Sequence, residues 1–155
     1  MVSTKSISRS NKKQILLLDS LLNHREPDMS LDEIAVRNKC ESSLYEFVKY
    51  SWNYVEGENP YVDNWHIQAI CDHLEAGFYG KIKLLIINIP PRCMKSLLCN
   101  VFFPAWCWLK RPHAKIFCLS GGYKLAVRDS VKCRQLIQSE WYQKLWGNKF
   151  ELSRE

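Results

Sequence analysis

No long apolar run occurs in this sequence. Stretches such as Ile15–Leu18 and Leu84–Ile87 fall far short of the ~20 residues a membrane-spanning helix needs. That excludes a helical span and points to no membrane partner. The basic, apolar and cleavage segments of a secretory signal are not found at the start of the chain. Internal repeats and low-complexity tracts are also lacking. Cysteine, at seven residues, is plentiful, but no two form a CxxC pair and the number is odd. Most sit in apolar surroundings such as Ile116-Phe117-Cys118-Leu119. These are expected as small core residues in a reducing compartment, not as a disulfide framework. Zinc-type Cys/His spacing is absent, and His66 and His73 are not one helical turn apart.

What is present is an ordinary globular composition. Of 155 residues, 46% are apolar and 25% charged, enough for one modest domain with a core and too ordered a composition for disorder throughout. The net charge of +6 is unevenly spread. Residues 1–25 carry +4, residues 26–76 carry −8 and residues 77–155 carry +10. A basic C-terminal half suits a polyanion such as nucleic acid or nucleotide phosphate, or is simply a solvated basic surface.

Along the chain, residues 1–9 read as a mobile basic tail. Residues 10–56 read as a helical N-terminal segment. Ile15, Leu18, Leu21 and Leu22 repeat at helical spacing between Ser10 and His24. Ser30-Leu31-Asp32-Glu33 has the form of a capping box. Ser42 or Ser43 is expected to cap a helix with Leu44, Phe47 and Val48 inside. Asp63 or Asn64 is expected to cap another with Trp65, Ala69, Ile70 and Leu74 inside, ended by Gly77.

From there the texture changes. Lys83–Ile89 and Lys115–Leu119 are short apolar runs that read as strands buried on both faces. Helices are expected from about Ser96 and from Tyr123 to Ser139, the latter with Leu125, Leu136 and Ile137 facing inward. Strand, helix, strand, helix is the order of an α/β parallel sheet.

Between the first run and its helix lies Ile89-Pro90-Pro91-Arg92-Cys93-Met94-Lys95-Ser96. A phosphate-binding loop belongs at such a junction, because a helix start offers free N–H groups and the positive end of a dipole. Lys95 and Ser96 fill the last two places of GxxxxGK[ST], but Ile89 and Met94 stand where its glycines belong. Lys95 is placed to reach the β/γ-phosphates, the Ser96 hydroxyl to ligate Mg²⁺, and Arg92 to neutralise charge on the γ-phosphate. A loop with ordinary surface cations is the plainer alternative.

Asn88 to Leu98, continuing through Val101-Phe102-Phe103-Pro104-Ala105-Trp106, resembles the deviant Walker A region of bacteriophage terminase large subunits. Those are the ATP-driven motors that package viral DNA. Upstream, Asn64 to Ile70 with His73-Leu74 is similar to that family's aromatic segment near the adenine. Downstream, Ser120 to Ser130 and Trp141 to Gly147 also fit, so the resemblance spans roughly residues 43–150.

The resemblance implies a P-loop NTPase fold of the additional-strand type, in a parallel sheet preceded by the helical segment. Residues 57–155 would be the front of its ATPase domain. It implies ATP and Mg²⁺ as cofactors, with Pro91, Arg92, Cys93, Met94, Lys95, Ser96 and Gln68 on the nucleotide. Arg92 and Lys95 would be catalytic and Ser96 would hold Mg²⁺. Gln68 reads equally well as a solvent-facing helix residue, and Trp65 and Trp106 read better as core aromatics than as stacking platforms. Partners implied are double-stranded DNA, a small terminase subunit and a portal protein, in the host cytoplasm. Lys124, Arg128, Lys132 and Arg134 are candidate DNA contacts on one side of a helix.

After Ser96 no apolar run ends in an acidic residue. The family's Walker B Asp, catalytic Glu and nuclease domain are therefore expected beyond residue 155, and efficient hydrolysis is not expected of this chain by itself. The alternative function is a non-catalytic interaction module, or the remnant of a helicase-like P-loop ATPase.

Overall fold

Local helix signals shape most of what the computed structural model describes, residues 29–149. The tail expected over 1–9 and the helix expected from Ser10 to His24 lie outside those residues. Helix α1 (Leu31–Ser42) opens on the expected capping box: Ser30 Oγ accepts from the Glu33 N–H at 3.3 Å, and Glu33 Oε2 accepts from the Ser30 N–H at 3.0 Å. Helix α2 (Leu44–Glu56) follows at once, its N-terminus capped by the Ser43 hydroxyl. Helix α3 (Trp65–Phe78) runs past Gly77 and stops just before Gly80, whose φ of 76° lets the chain turn away.

A second helical region begins with α4 (Lys95–Leu97) and passes through a π-helical stretch (Leu98–Phe102) into α5 (Phe103–Lys110). Pro104 accounts for the widened turn. It has no N–H to give the Asn100 carbonyl, and its ring presses on that carbonyl, so the preceding turn opens. Helices α6 (Tyr123–Gln138) and α7 (Glu140–Trp146) complete the described α-helices, and a 3₁₀ turn (Gly147–Lys149) follows.

Side chains from these helices make the core. Phe47 of α2 meets Tyr142 and Trp146 of α7 edge-on, with ring centroids 6.3 and 6.1 Å apart. Trp52 stacks on Phe102. Buried polar aromatics are satisfied: Trp106 Nε1 donates to the Cys40 carbonyl at 2.9 Å, the Tyr142 hydroxyl to the Ala105 carbonyl at 2.8 Å, and Trp52 Nε1 to the Asn59 carbonyl at 2.7 Å.

The expected α/β parallel sheet of a P-loop fold is not there. Among the described residues there is no strand, and the architecture is helical. Lys83–Ile89 and Lys115–Leu119 run extended, but no described backbone pairs with either. Burial alternates with period two from Leu84 to Ile89, but not over Lys115–Leu119, where only Ile116 is partly covered. Ile87, Ile89 and Ile116 pack on the helical core, whereas Leu84, Ile86, Phe117 and Leu119 are each about 80% or more exposed. An apolar run reports that residues prefer burial; it does not supply a neighbouring edge. The helices close the core without one. Two smaller expectations also fail. Trp65 is 81% exposed and Leu125 is 48% exposed, because α3 turns Ile67, Ile70 and Cys71 inward and α6 turns Cys133, Leu136 and Ile137 inward.

Candidate phosphate-binding cleft

The loop ahead of α4 has an unusual backbone. Arg92 and Met94 both take positive φ, 67° and 59°. Non-glycine residues adopt that region at a cost, and it concentrates at functional sites. Met94, with ψ 3°, is left-handed at the residue just before the helix begins. That is the place where the GxxxxGK[ST] pattern carries its second glycine. Met94 thus adopts the conformation that glycine gives freely, and its partly buried side chain packs against the core. Cys93 Sγ lies 3.8 Å from the Pro91 carbonyl oxygen, bridging the turn.

This loop forms one wall of a cleft of about 720 Å³. Pro91, Arg92, Cys93, Met94, Lys95 and Ser96 all line it, so the structure brings together every expected site residue but one. Gln68 does not line it and is exposed on α3. Opposite the loop stand α2, through Trp52 and Glu56, and α6, through Arg128, Asp129 and Lys132.

Four cations and two carboxylates share this space. The side chains of Arg92 and Lys95 are exposed and make no hydrogen bond or ion pair with any described residue. The other two cations are engaged. Lys132 Nζ lies 2.5 Å from Glu56 Oε1. Arg128 places Nε and Nη2 at 2.9 and 2.7 Å from Asp129 Oδ1. The second oxygen of Asp129 accepts from Asn100 Nδ2 at 3.2 Å, a contact made from the widened π-helical turn. Asp129 is 4% exposed, and this two-sided bonding is what keeps a charged group tolerable there. Beside the loop, burial pushes the Cys99 thiol up, with the Lys95 charge opposing it.

Glu56 and Asp129 escaped the sequence reading as cleft residues, as did Asn100, which holds Asp129 from the neighbouring cavity. Glu56 and Lys132 are 76 positions apart, and no local pattern links them. The basic set of α6 also divides. Lys124, Arg128 and Lys132 recur every fourth residue, while Arg134, two residues on, is more than half a turn away. Arg134 lines a separate, mainly apolar cavity of about 600 Å³ between α5 and α6, which touches the cleft at Ser120 and Asp129.

No family model matches this chain. No curated protein and no solved structure matches it either. Among the described residues no helix is long and apolar enough to cross a membrane, and no group of three or more His, Cys, Asp and Glu converges as a metal cage.

Proposed function

We propose that the cleft binds ATP as its Mg²⁺ complex. Lys95 and Arg92 take the phosphates, the backbone of Pro91 to Met94 wraps them, and the Ser96 hydroxyl faces the metal. The reading extends to the nucleotide-holding part of a DNA-packaging motor of the terminase type. Its partners would then be double-stranded DNA, a small terminase subunit and a portal protein, in the host cytoplasm. Lys124, exposed on α6, is the free cation of that helix best placed for a DNA phosphate.

The observation that carries the proposal is Met94. A left-handed residue directly before Lys95-Ser96 opens a helical region beside two cations whose side chains make no hydrogen bond or ion pair with a described group. That is the local geometry a phosphate loop needs. The proposal rests on this loop and cleft, and on no sheet. Calorimetric titration of the chain with Mg·ATP, beside Lys95→Ala, tests it. Micromolar to millimolar binding that disappears with Lys95→Ala is the expected result. A folded chain that binds no ATP overturns it.

The second reading is an interaction module without nucleotide chemistry. The outward apolar side chains of Leu84, Ile86, Phe117 and Leu119 favour it, since exposed patches of this kind mark protein contacts.

A further inference from the structure

The cleft carries its own negative charge, and this sets which form of a polyphosphate it accepts. Arg92, Lys95, Arg128 and Lys132 face Glu56 and Asp129, which leaves two positive charges in excess. That surplus is modest for a ligand as highly charged as a free triphosphate. Half of the cations are moreover held by the carboxylates: Lys132 by Glu56 at 2.5 Å and Arg128 by Asp129 at 2.7 Å. A bare polyanion entering the cleft draws on those two cations but leaves both carboxylates facing phosphate oxygens. Like charges so opposed are costly in a partly desolvated site. A chelated divalent ion removes two charges from the ligand and sets a cation where the carboxylates can face it. The described residues offer no cage that would hold such an ion by itself, so it arrives on the phosphates.

We infer that Glu56 and Asp129 are specificity-determining residues that make the cleft select the metal-chelated form of a polyphosphate over the free anion. This rests on the phosphate-binding reading above and adds two residues that the loop does not contain. Both act from outside the loop, Glu56 from the end of α2 and Asp129 from α6. Glu56 is the cleaner handle, because the only described polar partner of its carboxylate is Lys132, whereas the Asp129 carboxylate also holds Asn100.

Calorimetry of the whole chain with sodium tripolyphosphate, once with excess magnesium and once with a chelator at matched ionic strength, tests the inference. The expected result is binding about fivefold or more tighter with magnesium, as for one partly screened charge contact. Glu56→Gln is expected to raise affinity for the free anion by a similar factor while changing that for the chelate less, so that the preference narrows. Asp129→Asn is expected to act in the same direction, with circular dichroism checking that it folds. Equal affinity of the native chain for the two forms overturns the inference and leaves the phosphate reading standing. A preference that Glu56→Gln leaves unchanged overturns the assignment of Glu56. No binding of either form by the folded chain overturns the phosphate reading, and the inference with it.

Discussion

Arg92 and Met94 hold the left-handed backbone that costs a residue with a Cβ about 1–2 kcal/mol. The two differ in what offsets that cost. Met94 packs its side chain on the core, whereas Arg92 is exposed and unpaired. Arg92→Gly therefore removes strain and loses no packing. Part of the gain is returned through the greater freedom of glycine in the unfolded chain. We expect a net stabilisation of about 0.5 kcal/mol in urea melts, with weaker ATP binding in the same variant. A loss of stability would show that the Arg92 backbone is not strained. At this scale the loop was legible, because Lys95 and Ser96 declare themselves by adjacency and by following an apolar run. The acidic partners were not, because Glu56 and Asp129 reach the cleft through folding, from α2 and α6, with no sequence spacing to mark them.

Glu41 ties the first described helix to the last. Its Oε1 accepts from Trp146 Nε1 at 2.9 Å, from Lys149 Nζ at 2.9 Å and from Arg37 Nε at 3.2 Å. Burial alone would raise its carboxyl, but the bonds from Lys149 and Trp146 outweigh burial and hold it below the usual value of 4.5. With the folded-state value depressed, the contribution is complete above the unfolded value and is lost as pH falls through the folded one. Glu41→Gln is expected to cost about 1–3 kcal/mol near neutral pH and to flatten the acid limb of the stability curve. Denaturant melts between neutral and acid pH check both. Glu75 runs the other way: burial raises its carboxyl, only partly opposed by the Leu44 N–H it accepts. Caps such as Ser30 with Glu33 could be read from sequence because they close within one turn. The inward faces of α3 and α6 were misjudged at Trp65 and Leu125, each near the start of its helix, where neighbouring packing decides which side is covered.

The sheet was misread at the largest scale, and the reason is physical. Strand pairing is a long-range contact, and no property of Lys83–Ile89 or Lys115–Leu119 taken singly says what backbone will lie beside it. The described chain instead closes its core with helices and leaves apolar side chains of both segments in solvent. Unpaired extended segments with outward Leu, Ile and Phe invite association. Ile86→Lys with Phe117→Lys is expected to raise the concentration at which the protein stays monomeric in light scattering. The melting temperature should change little, since both side chains are more than 80% exposed. A large drop in stability would mean that the segments are packed on both sides after all.

The thiols allow the central claim to be tested on the native chain. Burial pushes Cys40, Cys71, Cys107 and Cys133 up to about 12, so these four are expected to resist alkylation at mildly alkaline pH. Cys93 lies in the phosphate loop and lines the cleft, whereas Cys118 lines the other cavity. The measurement is the rate of iodoacetamide modification at each cysteine, read by mass spectrometry with and without Mg·ATP. Protection of Cys93 at ATP concentrations that saturate binding, and its absence in Lys95→Ala, is the predicted result. An unchanged Cys93 rate under saturating ATP would contradict the account, because any bound nucleotide would then lie away from this loop.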